Sequence, residues 1–239
     1  MEKTIIVIPT YNEAGNVEVL LKEIFANVPD VYVLIVDDSS PDGTGAIVFG
    51  LQRKYSRLLF LEQKEKQGLG VAYKAGFKYA LELHSDTVIL GMMDADFCHN
   101  PKDLPKLLME TKTTDMVIGS VYAKGGSIPP SFTSWRRFLS RGGNLYCRLL
   151  FGYPLTDWTN AFVMIRVSAL KRVRLATLPA REFAFVFGIK YALLKTGATW
   201  EDIGVMSSDR IAGESKITWR TILEALVAPW KLRFGTHRI

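Results

Sequence analysis

At 239 residues, 48% of them hydrophobic, the chain can bury a core of its own and is read as one domain over 1–239. A net charge of +6 favours an anionic partner, but no zinc-ligand spacing, basic repeat or RNA-binding aromatic motif points to nucleic acid, which is excluded. Two cysteines, Cys98 and Cys147, are too few for a disulfide framework and indicate a reducing compartment.

The run TIIVI after Lys3 is too short for a signal-peptide core, so export is not expected. No window supplies the roughly 18 uncharged apolar residues of a membrane span. The nearest, ILEALVAPW, contains Glu224 and stops at Lys231. No transmembrane domain is expected.

Along the first half, TIIVIP, VYVLIVDD, LLFLEQ, TVILGMMD and DMVIGS read as buried strands. Between them NVEVLLKEIFANV, TGAIVFGLQRKY, LGVAYKAGFKYALEL and PKDLPKLLMETK carry apolar residues at helical spacing. That alternation predicts an α/β fold with a mainly parallel central sheet and helices on both faces. After residue 120 a Gly/Pro loop, AKGGSIPPS, leads to a basic amphipathic helix, SWRRFLSRGGNLYCRLLFG. A strand (FVMIR), an apolar helix (FAFVFGIKYALLKTG), a strand (TWEDIGV) and an amphipathic stretch from Ile217 to Phe234 complete the chain. The second half, 121–239, extends the domain begun by 1–120.

In such sheets ligands bind beyond the carboxyl ends of the strands. Those ends are distinctive here: Pro9-Thr10-Tyr11-Asn12-Glu13, Asp37-Asp38-Ser39-Ser40 and Asp94-Ala95-Asp96. Asp94 and Asp96 can reach one hard cation together, or form an Asx turn and a cap before Pro101. An ion held by one or two carboxylates completes its shell with water and substrate phosphates. Asp42 fits a helix cap, whereas the carboxylates of Asp37 and Asp38 end a buried strand and can accept hydrogen bonds from a nucleobase or ribose. In Lys64-Glu65-Lys66-Gln67-Gly68-Leu69-Gly70, backbone amides and Lys66 precede a helix and can meet an anion, or make an ordinary turn. Arg210 and Lys216, around Gly213, can close on a diphosphate or lie on a solvated loop. Arg136, Arg137, Arg141 and Arg148 alternate with Trp135, Phe138, Leu145 and Leu149, which suits an anionic head group with an apolar tail as well as a plain surface helix. The stretch with Trp219, Leu226, Val227, Trp230 and Phe234 allows packing or membrane contact.

Taken together, PTYNE at 9–13, DDSSPDGT at 37–44, KQGLGVAYKAGF at 66–77, MDADFCHNP at 93–101 and DRIAGESK at 209–216 resemble the dolichyl- or polyprenyl-phosphate mannosyltransferases of glycosyltransferase family 2. The resemblance implies the glycosyltransferase-A fold with a Rossmann-like nucleotide-binding half. It implies inverting transfer of mannose from GDP-mannose to an isoprenoid phosphate with a divalent metal, Mg²⁺ or Mn²⁺. By position, Pro9, Tyr11, Glu13, Ile35 and Asp37 would line the nucleotide pocket, with Asp38 and Lys66 on the donor side. Asp94, Ala95 and Asp96 would hold the metal and diphosphate, with Cys98 a weaker metal neighbour. Arg210 and Lys216 would bind donor phosphates, and Arg136 and Ser140 would meet the acceptor phosphate. Asp157, in DWTNAF, matches an acidic active-site position.

The acceptor is a phosphate monoester with a second pKa of about 6, already largely an anionic nucleophile at neutral pH. No histidine base is therefore required of His84, His99 or His237, and His99 is read as shaping its loop. Val121 stands where the resembling proteins usually carry arginine, and Val186 and Gly188 where glutamine and glutamate are common. These departures leave open another donor such as UDP-glucose, or a non-catalytic homologue that binds nucleotide or lipid or scaffolds a complex. Membrane access, at the cytosolic face (of the endoplasmic reticulum in a eukaryote), would come from the amphipathic segments or a small membrane-anchoring subunit.

Overall fold

A computed structural model describes residues 2–129, 131–179, 182–207 and 219–235. The alternation in the first half becomes β1 (Thr4–Thr10), α1 (Val17–Asn27), β2 (Tyr32–Asp37), α2 (Thr44–Leu51), β3 (Leu58–Glu62), α3 (Leu69–Leu83) and β4 (Ile89–Met92). α4 (Leu104–Glu110) and β5 (Met116–Ser120) follow, then α5 (Ser134–Phe151), β6 (Val163–Arg166), α6 (Val167–Leu170), α7 (Glu182–Lys195), β7 (Trp200–Gly204) and α8 (Trp219–Phe234). The helix expected from Pro101 divides: Pro101–Asp103 winds as a 3₁₀ turn and α4 starts at Leu104. Pro101 and Pro105 both sit in first-turn positions, where a missing amide hydrogen costs nothing.

The strands form one seven-stranded sheet in the order β3-β2-β1-β4-β6-β5-β7. All neighbouring pairs are parallel except those of β6, which runs antiparallel to both β4 and β5. Alternate residues of one strand feed two cores, as a strand period of two requires. Ile5 and Val7 of β1 pack with α3, α5, α7 and α8, whereas Ile6 and Ile8 pack with α1, α2 and α4. The near-uniform apolarity of the strands therefore means two covered faces.

α3 approaches the sheet closely because Gly76 has no side chain. A Cβ there would lie 2.5 Å from Val7 Cγ1 and 3.0 Å from Val36 Cγ2. Alanine would gain about 1 kcal/mol of helix propensity over glycine, but it would force apart two buried valines whose overpacking costs about 1–3 kcal/mol. Gly76→Ala is expected to lower the urea midpoint at an unchanged slope; a raised midpoint would show that α3 is not held at this distance.

Candidate active site

The parallel strands β1, β2 and β4 end on one edge of the sheet, and their loops bear the strained backbone. Among the described residues the non-glycine positions with positive φ are Asn12 (59°), Ser39 (61°) and Phe97 (64°), one after each of these strands. A left-handed conformation costs an ordinary residue about 1–2 kcal/mol and persists only where the surroundings dictate it.

The surroundings are hydrogen bonds between the loops. Backbone amides of Asn12, Glu13 and Ala14, after β1, donate to Ser40 Oγ, Thr44 Oγ1 and Asp42 Oδ2, after β2, each at 3.0 Å. Burial raises the pKa of Asp42, but the bonds from Thr44 and Ala14 outweigh it and hold the carboxyl below its ordinary value. Asp42 also accepts the Thr44 amide at 3.0 Å, but as an Asx turn and not as the cap expected of it, because the N-cap of α2 is Gly43 and no side chain caps that helix.

Asp37 and Asp38 are both buried. Asp37 accepts Thr10 Oγ1 at 2.8 Å, Ser40 Oγ at 2.6 Å and the Ser40 amide at 2.8 Å. Asp38 reaches the other way, to Gln63 Nε2 at 2.8 Å and the amides of Gln67 at 3.0 Å and Gly68 at 2.7 Å. The amides before α3 thus meet an anion, as their position suggested, but that anion is the chain's own Asp38. The Lys66 ammonium lies 3.7 Å from the centre of the Tyr11 ring, which brings two of the expected nucleotide residues together over the β1 loop. Pro9 and Glu13 flank Tyr11 and are half-buried, while Ile35 is buried within β2.

Asp94, Ala95 and Asp96 follow β4. The Asp94 side chain is 35% exposed, with Oδ2 3.6 Å from His99 Nε2. The Asp94 amide donates to His99 Nδ1 at 2.9 Å, which leaves the proton of the neutral ring on Nε2, facing the carboxylate. The Tyr73 hydroxyl of α3 shares its one hydrogen between the Met93 carbonyl, at 3.3 Å, and the Asp94 carboxylate. Its burial and Asp94 push the phenol well above its ordinary pKa, so it remains a donor. Asp96 Oδ1 accepts the Cys98 amide at 3.0 Å, the Asx turn weighed for this motif. His99 thus takes the loop-shaping place expected of it, and its ring stacks on Phe162 at 4.9 Å.

That stack joins a second loop to the site. Because β6 is antiparallel, Val163 at its start lies opposite Met92, at the end of β4. Residues 157–162 therefore arrive where β4 leaves. Asp157 is buried, and its Oδ1 accepts the Thr159 amide at 3.0 Å, Thr159 Oγ1 at 2.9 Å and the Asn160 amide at 3.1 Å. Asn160 Nδ2 donates to the Gly119 carbonyl at 2.7 Å, two residues before Val121. Of the other departures, Val186 is buried in the core, and Gly188 passes Pro179 so closely that a Cβ would lie 2.9 Å from its Cδ.

α5 flanks this loop. Its inward face carries Ser140, whose Oγ accepts Tyr122 Oη at 2.7 Å, and Asn144, whose Oδ1 accepts the Trp158 amide at 2.6 Å. The Arg136 guanidinium lies 3.9 Å from the centre of the Phe132 ring. Arg210 and Lys216 lie outside the described residues, but the segment that leads from β7 toward them is fastened beside the metal-type motif: Ser207 Oγ donates to the Cys98 carbonyl at 3.0 Å. Tyr73, Asn144 and Lys190 are functional candidates absent from the sequence reading. The detectable signal was Lys190, a lone cation inside the apolar run FAFVFGIKYALL.

Asp94 and Asp96 offer hard oxygen donors of the kind Mg²⁺ and Mn²⁺ take. Among the described residues no group of three or more His, Cys, Asp or Glu side chains could hold an ion. Cys98 is not gathered with the two aspartates into such a group. The donor set fits an ion that draws the rest of its shell from water and substrate oxygens.

A family model described as Glycosyl transferase family 2 matches residues 5–174. The undecaprenyl-phosphate mannosyltransferase of Micrococcus luteus is 34% identical over 225 residues, 94% of this chain and 91% of its own. The polyprenol monophosphomannose synthase of Mycolicibacterium smegmatis is 32% identical over 237 residues, 97% and 88% of the two chains. Among solved structures, a mannosyltransferase from Pyrobaculum calidifontis in complex with GDP-Man and Mn²⁺ superposes with a TM-score of 0.64 at 18% identity. The match covers 95% of this chain and 63% of that one, so this chain spans less than two thirds of its length. Glucosyl-3-phosphoglycerate synthase from Mycobacterium tuberculosis, with Mn²⁺, UDP and glucosyl-3-phosphoglycerate, also gives 0.64, at 15% identity over 95% and 80%. The family match and the fold agree: the chain belongs to glycosyltransferase family 2, a glycosyltransferase with the glycosyltransferase-A fold.

Proposed function

We propose that the chain transfers mannose from GDP-mannose to a dolichyl or polyprenyl phosphate, with inversion at the anomeric carbon and dependence on Mg²⁺ or Mn²⁺. The names of its two curated relatives support mannosyl transfer to an isoprenoid phosphate. The observation that carries the reading is the contact of the Asp94–His99 loop with the Asp157–Phe162 loop through the His99–Phe162 stack, beside the inward face of α5. A donor-side acidic motif and an acceptor-side loop thereby share one edge of the sheet.

In this reading residues 1–120 form the donor half and 121–239 the acceptor half of a single domain. Tyr11, Pro9, Glu13, Ile35 and Asp37 border the nucleotide, and Asp38 holds the turn that carries Lys66. Asp94, Ala95 and Asp96 face the diphosphate, with Arg210 and Lys216 closing on it. Arg136 and Ser140 meet the acceptor phosphate, while Asp157 shapes the loop between the two substrates. A bound divalent ion would be held by Asp94 and Asp96 and would neutralise charge developing on the departing nucleoside diphosphate. His99 and Tyr73 keep the Asp94 carboxylate oriented for that task. The acceptor phosphate brings its own negative charge to the anomeric carbon, so the chain orients it and supplies no base.

α5 and α8 supply the reading's lipid surface. They pack together, and Tyr146 Oη donates to the Leu226 carbonyl at 2.7 Å. Trp135, Phe138, Leu149, Trp230 and Phe234 stand 66, 65, 78, 54 and 62% exposed. Arg141 and Arg148 lie exposed among them, and α5 contains no acidic residue. Aromatic and apolar side chains beside arginines suit the face of an anionic bilayer. No helix of the described residues is long and apolar enough to cross it.

Purified protein given GDP-mannose, polyprenyl phosphate in detergent and Mg²⁺ or Mn²⁺ is expected to form mannosyl lipid, visible by mass spectrometry and lost on adding EDTA. Product from UDP-glucose alone would replace the donor, and EDTA-resistant product would remove the metal. Asp96→Ala should lower kcat by a factor of about 10²–10³, the scale of losing a preorganised electrostatic group, with the circular-dichroism melt unchanged; normal turnover would sink its role. In flotation with phosphatidylserine vesicles the protein should rise with lipid. Arg141→Glu with Arg148→Glu should weaken partitioning on the order of tenfold or more, at about 1 kcal/mol per basic residue removed. Binding that ignores both the substitutions and the salt concentration would assign the contact to the apolar side chains alone, and failure to float would argue for a membrane-anchoring subunit.

A further inference from the structure

We propose that Lys190 is a positioning residue for the transfer: from the middle of α7 its buried ammonium ties together three carbonyls of the 157–160 loop and so fixes the loop against the Asp94–His99 motif. Its Nζ donates to the carbonyls of Asp157 at 2.9 Å, Trp158 at 3.2 Å and Asn160 at 2.7 Å. Lys190 is fully buried. A lysine almost never enters a core unless its three donors are satisfied, and here one short loop satisfies all three.

The loop carries rings that already pack into the core, Trp158 on Phe151 at 4.6 Å and Phe162 on His99, so the restraint that Lys190 adds is on its backbone carbonyls. It contains no strand or helix between Asp157 and Phe162. Its amides turn inward on Asp157 or donate to Asn144, and Asn160 and Phe162 both reach Gly119 of β5. Lys190 gathers the carbonyls that this arrangement leaves on the α7 side. The assignment rests on the proposed role of the loop in the reaction, and nothing about the ammonium places it in contact with substrate.

The anchor is sensitive to protonation. Burial pulls Lys190 down from 10.5 to about 8, against the opposing charges of Asp157 on the loop and Asp202 on β7 and the thiol of Cys147 on α5. Cys147 is itself pushed up by burial to about 12 and keeps its proton through this range. A neutral amine has two hydrogens for three carbonyls, so the loop loosens as the pH passes about 8. The folded pKa lies below the free value, so this group disfavours folding below about pH 8, and that cost fades as the pH climbs toward 10.5. Loosening of the loop therefore does not come from this group as a loss of global stability.

Hydrogen exchange followed by mass spectrometry reads the loop without any substrate. In Lys190→Met, amides in 156–162 should exchange at least about tenfold faster while β1 and β2 are unchanged, and kcat should fall about tenfold to a hundredfold with the donor KM little altered, the scale of a small misplacement. Lys190→Gln, with two donors, should fall between. The alkaline limb of the wild-type kcat profile, near pH 8, should be missing in Lys190→Met. Should that variant not fold, wild-type protection factors across pH 7 to 9.5 decide alone: a selective drop in 156–162 above about pH 8 supports the anchor. Unchanged protection in 156–162 under both tests would overturn it. Absence of product with every nucleotide sugar would defeat the proposed substrates, but hydrogen exchange would still decide whether Lys190 anchors the loop.

Discussion

A carboxylate at the end of a buried strand must find donors, and two adjacent ones must find them on opposite sides, because successive side chains of a strand point opposite ways. Asp37 and Asp38 meet that demand in different directions. Asp37 fastens the end of β1 and the turn after β2, and Asp38 fastens the turn that begins α3. Three elements distant in sequence are thereby fixed relative to one strand end. The left-handed turns at Asn12 and Ser39 become affordable because these bonds hold the chain on both sides of them.

The first half, 1–120, was readable because its signals are local. Apolar runs interrupted at intervals of helical length predict a covered parallel sheet, and an acidic residue at the end of such a run marks the ligand edge. LGVAYKAGFKYALEL matches α3 residue for residue, since Gly68 stops the helix on one side and the apolar period is unbroken within it. The 3₁₀ turn at Pro101–Asp103 was hidden because its composition suits an α-helical first turn equally well.

The second half, 121–239, resists such reading because its contacts are long-range. Nothing in DWTNAF announces that its carbonyls will converge on a lysine some thirty residues away, or that Phe162 will stack on His99. Asp37, Asp38 and Asp157 were identifiable as acids near a site, yet their burial and the internal donors they satisfy depend on loops brought together by the sheet order. The two faces of α5 were visible as an amphipathic pattern. Which one would look inward, at Ser140 and Asn144, was decided by where Tyr122 and Trp158 come to rest.

The reversed direction of β6 has an evolutionary corollary. In a wholly parallel sheet every loop at the ligand edge leads out of a strand, so altering it disturbs the crossover helix that follows. The 157–162 segment instead leads into its strand, between neighbours already paired with β1 and β7. It can change in length or sequence without re-routing the crossovers between β1, β2, β3 and β4. Such a sheet lets the parallel crossovers be inherited intact while the loop that enters from the other direction is exchanged, a form of modularity within a single continuous sheet.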